Sequence, residues 1–241
     1  GFATTLPIYQ VIIICTFIGL FLHAKERQAF PWTWQTRMFV FLLSWFAVTT
    51  FWSPDFPLAA QNHLEKVLKV YIGIFPSLWL ITDKDKFRWL VVTIAISFGL
   101  IGLKGGLFSL GTGFSYRVYG PSRTFYGGNN EIALALNMML PLLLLLGRQA
   151  KNSWIKGFFY ATFFFSICSI ISSWSRGGLL TLGAVLGAII LTSKRKWLAI
   201  PMCAIGIYFM IPQLPAEWFG RMETIQTYEQ DGSAMGRIQA W

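Results

Sequence analysis

Glu131-Ile132-Ala133-Leu134-Ala135-Leu136-Asn137-Met138-Met139-Leu140-Pro141-Leu142-Leu143-Leu144-Leu145-Leu146-Gly147 decides what kind of protein this is. The stretch carries a single charge, at its first residue, and ends in an unbroken leucine run from Leu142 to Leu146. Apolar and polar residues do not alternate, which excludes a strand of a membrane β-barrel. A helix rises 1.5 Å per residue, so about 20 such residues cross a hydrocarbon core about 30 Å thick. The stretch therefore reads as a membrane-spanning helix, kinked at Pro141.

The same composition recurs on both sides of it. Further apolar runs lie at 6–23, 38–52, 67–82, 87–103, 157–172, 177–192 and 197–212. Trp32, Trp34, Trp52, Trp89, Trp154 and Trp197 stand where interfacial tryptophans complete short spans. Pro76 predicts a second kink, and Gly183 and Gly187 with Ala184 and Ala188 predict close packing of the seventh helix on a partner. Leu64, Val67, Leu68 and Tyr71 fit an interfacial helix over 58–71 leading into the third span. The expected fold is all-α. It is a polytopic membrane helical bundle of about eight transmembrane helices over 1–212, with a large periplasmic loop starting at 213–241.

The overall composition agrees. The chain has 241 residues, 55% hydrophobic and 12% charged. Soluble domains carry about 25% charged residues, and disordered chains need low hydrophobicity, so both classes are excluded. Net charge is +10. On a chain this apolar it signals topology and not nucleic acid. Lys25, Arg27, Arg37, Lys84, Lys86, Arg88, Arg148, Lys151, Lys156, Lys194, Arg195 and Lys196 crowd four alternate short connections. The remaining eight of the 20 basic residues share the opposite side with seven of the 10 acids. The positive-inside rule puts the first set in the cytoplasm, so the 111–130 loop, the Ser173–Arg176 turn and the segment from 213 face outward.

Cys15, Cys168 and Cys203 each sit in an apolar run, which argues against a disulfide framework or a zinc site. His23 and His63 are too few for a histidine-rich metal site. No metal and no cofactor is expected. Gly1 opens the chain with no basic segment before the first apolar run, and nothing like a tail precedes Trp241. The expectation is the middle of a longer protein.

Chemistry gathers on the outward side. In Ser173-Trp174-Ser175-Arg176-Gly177-Gly178, Ser175 reads as the N-cap of the seventh helix, with Arg176 in its first turn. A cation there opposes the helix dipole unless an anion bridges it and the free N–H groups, and the glycines admit a ligand to the backbone. The alternative is an arginine reaching to headgroups or pairing with Glu131. Between Ser115 and Glu131, Arg117 and Arg123 interleave with Tyr116, Tyr119, Phe125 and Tyr126, ending at Gly127-Gly128-Asn129-Asn130. Arginine forks recognise phosphate and aromatic faces stack on sugars, so this reads equally as a diphosphate–glycan loop or as an interfacial aromatic belt. No Gly-Lys-Ser/Thr follows the glycines, so nucleotide chemistry has no support. Lys66 and Lys69 add positive field at the mouth of the third span. Glu223, Glu229 and Asp231 are not paired in a way that suggests general-base work.

Tyr116-Arg117-Val118-Tyr119-Gly120-Pro121, then 129–138 and Pro141-Leu142, then Ser175-Arg176-Gly177-Gly178, resembles the O-antigen ligase family. The likeness is strongest to the exosortase A-associated O-glycosylation ligases. Glu65-Lys66-Val67-Leu68-Lys69, Lys104-Gly105-Gly106-Leu107, the Arg221-Met222 segment and 231–241 extend it. The resemblance implies a membrane glycosyltransferase that takes a glycan from an undecaprenyl-diphosphate carrier and joins it to a lipid, protein or polysaccharide acceptor. It would work at the periplasmic face of a bacterial inner membrane, without nucleotide sugar, metal or nucleic acid. Arg176 and Arg237 match the arginines that hold the donor diphosphate. Arg117, Arg123, Lys69, Asn129 and Asn130 are candidate contacts to glycan or phosphate. The family's catalytic histidine lies later in the long loop, and neither His23 nor His63 matches it, so this stretch alone is expected to be inactive. A glycan polymerase of the same superfamily is one alternative. A lipid-linked glycan transporter or flippase is another, although it predicts charges deep within spans.

Overall fold

The computed structural model describes residues 8–23, 29–54, 56–60, 64–122, 124–193 and 196–223. In order they form α1 (Ile8–Leu22), α2 (Trp34–Phe51), α3 (Phe56–Ala59), α4 (Glu65–Leu80), α5 (Lys84–Gly111), α6 (Asn129–Gln149), α7 (Ser153–Ser172), α8 (Arg176–Thr192), α9 (Lys196–Met210) and α10 (Ala216–Glu223), with a 3-10 turn at Ile211–Gln213. The described residues contain no strand. Each run expected to span coincides with a helix. Among the described residues α5, α6 and α7 are long and apolar enough to cross a membrane. A fourth span results if Lys196–Gln213 and Ala216–Met222, bent by 113°, count as one. Tyr9–Leu22 and Arg176–Thr192 are apolar but shorter.

Local chemistry sets the helix starts. Thr33 caps α2 by accepting from the Thr36 N–H at 3.3 Å. Asn152 caps α7 by accepting from the Trp154 N–H at 2.8 Å. Asp83 does the same for α5 through the Lys86 N–H at 2.8 Å. The expected interfacial helix over 58–71 is divided: α3 is a single turn, and the stretch from Glu65 onward is the first part of α4. Residues 61–63, including His63, lie outside the described residues.

The chain divides into two compact units, Gly1–Trp89 and Leu90–Trp241. In the first, α4 packs against α1 and α2. Phe30 meets Trp32 and Trp79 edge-on, with ring centroids 5.3 and 5.5 Å away. The Tyr9 hydroxyl donates to the Lys69 carbonyl.

In the second unit α6 is the central helix, packed on α7 and α8. Ile132, Ala133, Leu136 and Leu140 of α6 form one core with Ile170 and Leu182. Leu143 and Leu146 form another with Ala95 and Phe159. The fourth expected span, 87–103, is longer in the structure: α5 continues through Lys104, Gly105 and Gly106 to Gly111. The glycines do not break it; they let it touch α7. A Cβ on Gly106 would lie 2.7 Å from the Phe165 Cα, and one on Gly102 3.0 Å from the Ser166 Cβ. This is the close-packed glycine face of the unit. The Gly183 and Gly187 face, expected to pack tightly, has nothing within 4 Å among the described residues. The spacing identified a small-residue face but not which helix uses one.

Candidate functional site: an arginine-bearing turn between two helices

The turn 173–175 joins the C-terminus of α7 to the N-terminus of α8. Ser175 caps α8, its hydroxyl accepting from the Gly178 N–H at 3.0 Å. Arg176 is thus the first helical residue, partly exposed, at the positive end of the α8 dipole. Trp174 holds φ +55°, a left-handed backbone rare for a bulky residue, and this reverses the chain between the helices. Ser173 is buried and its hydroxyl donates to the Ile170 carbonyl at 2.6 Å.

Three other segments converge on this turn. The 112–128 loop lies along its α7 side: the Val118 N–H donates to the Ser172 carbonyl at 2.8 Å, and the Ser172 hydroxyl returns a bond to the Tyr116 carbonyl at 2.8 Å. Between them stands Arg117, whose guanidinium carbon sits 5.0 Å from the centroid of the Trp174 ring. That is cation–π distance. Helix α10 arrives from the other end of the chain. The Trp218 indole donates to the Ile171 carbonyl at 3.1 Å and Arg221 Nε to the Trp174 carbonyl at 3.1 Å. These bonds pin α10 to the last turn of α7 and to the turn that follows it. Finally α6 contributes two amides. Asn129 Nδ2 donates to the Ser173 carbonyl at 2.9 Å, and Asn137 Nδ2 to the Gly178 carbonyl at 3.0 Å.

Arg117 and Arg221 therefore both touch Trp174, and Arg176 follows it by two residues. An arginine in the first turn of a serine-capped helix suits an anion with several oxygens. Among the described residues no group of three or more His, Cys, Asp or Glu could hold a metal ion.

The residues singled out in the sequence are distributed unevenly. Arg176, Arg117 and Asn129 come together at the turn, and Asn130 is exposed beside Asn129 on the first turn of α6. Lys69 belongs to the first unit and is paired with Glu65 on its own helix. Arg123 and Arg237 lie outside the described residues. Trp174, Trp218 and Asn137 carried no assigned role, and Arg221 entered as one of the outward basic residues and through its match to the ligase loop. Their bonds to the turn span 41 to 60 residues of sequence, so no local pattern announces them.

Residues 1–151 match DUF5935, a family of unknown function. The chain belongs to the DUF5935 family. No curated protein and no solved structure matches it. The DUF5935 stretch contains Arg117, Asn129 and Asn137, while the turn they engage lies beyond residue 151.

Proposed function

We propose that this protein is a membrane glycosyltransferase of the O-antigen ligase type. It transfers a glycan from an undecaprenyl-diphosphate carrier to a lipid, protein or polysaccharide acceptor. The reading includes eight membrane spans, a bacterial inner-membrane location, a periplasmic site and an extracytoplasmic loop domain starting near 213. One observation carries it: Arg176 begins a serine-capped helix, beside a tryptophan that also engages Arg117 and Arg221.

The chemistry follows from that arrangement. An acceptor hydroxyl attacks the anomeric carbon, the new C–O bond forms, and the bond from that carbon to the phosphate oxygen breaks. Negative charge builds on the departing diphosphate, where fixed guanidinium groups and helix N–H groups stabilise it. The hydroxyl proton goes to a base, a role that the resemblance assigns to neither His23 nor His63. Arg237, Arg123, Asn130 and Lys69 remain candidate contacts on the resemblance alone.

Deleting the gene and resolving the glycans on a gel tests this. Unattached long chains with loss of acceptor-linked glycan are expected. Accumulation of single repeats indicates the polymerase alternative, and an unchanged glycan pattern contradicts both.

A further inference from the structure

Asn137 is fully buried in the middle of α6, among leucines and other apolar residues of the helix. Its amide nitrogen donates to two carbonyls, Ala133 at 2.9 Å and Gly178 at 3.0 Å. Because both partners are acceptors, the orientation of the amide is fixed. Its Oδ1 then accepts no hydrogen bond among the described residues. The backbone carbonyl of Asn137 also lacks the usual helical donor, since Pro141 stands four residues on. A buried, unsatisfied acceptor is destabilising, so what Asn137 offers the fold is its N–H donors.

Those donors act at a particular place. Asn129 and Asn137, about two turns apart on α6, grip the carbonyls of Ser173 and Gly178 on either side of Arg176. Between the grips α8 lies against α6 so closely that a Cβ on Gly178 would sit 2.6 Å from the Ala133 Cβ. We infer that Asn129 and Asn137 are positioning residues, an amide clamp from α6 that holds the Ser173–Gly178 turn so that Arg176 meets a lipid-linked diphosphate. This rests on the proposed function. It also gives Asn129 a different task from the ligand contact expected from sequence.

The test is binding of undecaprenyl diphosphate to the purified full-length protein in detergent, compared across variants with unfolding temperatures measured in parallel. Asn137→Leu and Asn129→Ala should each weaken binding by about tenfold or more, as small misplacements of an anion-binding group do. Arg176→Ala should weaken it at least as much. Combining Asn137→Leu with Arg176→Ala should cost no more than Arg176→Ala alone, because the clamp acts through the arginine. Leu140→Ala, equally buried on the same helix but without a bond to the turn, should lower the unfolding temperature and leave affinity within about twofold. Wild-type affinity in Asn137→Leu, losses that multiply in the double variant, or an equal loss in Leu140→Ala would each overturn the clamp. Wild-type affinity in Arg176→Ala overturns the proposed diphosphate site itself.

Discussion

The indole N–H of Trp174 donates to the Phe114 carbonyl across 3.3 Å, and both residues hold a left-handed backbone, at φ +55° and +58°. Two buried aromatic residues in that region are strained, by about 1–3 kcal/mol each. They occupy separate chain reversals, one after α5 and one between α7 and α8. The bond between them ties the arginine-bearing loop to the arginine-bearing turn.

Strain and packing at Trp174 can be separated by substitution. Trp174→Ala loses the ring and keeps the strain, and should destabilise by about 3–5 kcal/mol. Trp174→Gly loses the same ring but accepts the left-handed backbone, so it should be about 1 kcal/mol more stable than Trp174→Ala. Reversible unfolding in mixed micelles measures the difference. An alanine variant at least as stable as the glycine variant contradicts the strain.

Two glycine-to-alanine changes should have opposite signs. Gly106→Ala drives a methyl into the Phe165 backbone and should cost about 1–3 kcal/mol through helix displacement. Gly183→Ala meets open space and should be neutral or stabilise by about 0.4–1 kcal/mol, as helix propensity dictates. The same unfolding assay compares them, and equal effects would show that α5 and α7 are not in close contact.

A pH effect is expected at the start of α5. The Lys86 N–H, and then the Lys86 ammonium 3.3 Å away, hold the Asp83 carboxyl below its ordinary value of 3.8. Because the native value is depressed, the stabilisation is fully present above 3.8 and is lost as pH falls through the lowered value. The pair is exposed, so salt should weaken it. Asp83→Asn keeps a capping side chain and removes the titration. The stability difference between wild type and Asp83→Asn should be flat above about pH 5 and shrink in acid; a difference that grows in acid contradicts the assignment.

The sequence was most legible where structure is local. Apolar runs announced the helices, and a serine before Arg176-Gly177-Gly178 announced the α8 cap. The 87–103 run stopped short of Gly106, whose missing side chain permits contact with the Phe165 backbone. The helix bearing Gly183 and Gly187 does pack on α6, but a side chain at either glycine would meet open space among the described residues. At the site, Arg176 and Arg117 stood out because charge is conspicuous in an apolar chain. Asn137 did not, since one amide within 129–149 looks like any other helix-packing residue until its partner, 41 positions away, is known.

Glycan transfer by the Arg176→Ala variant of the full-length protein, produced at the wild-type level in the deletion strain, tests the central claim most directly. Loss of acceptor-linked glycan, with partial recovery in Arg176→Lys, is the predicted result, since lysine keeps the charge without the bidentate fork. Wild-type transfer by Arg176→Ala would contradict it.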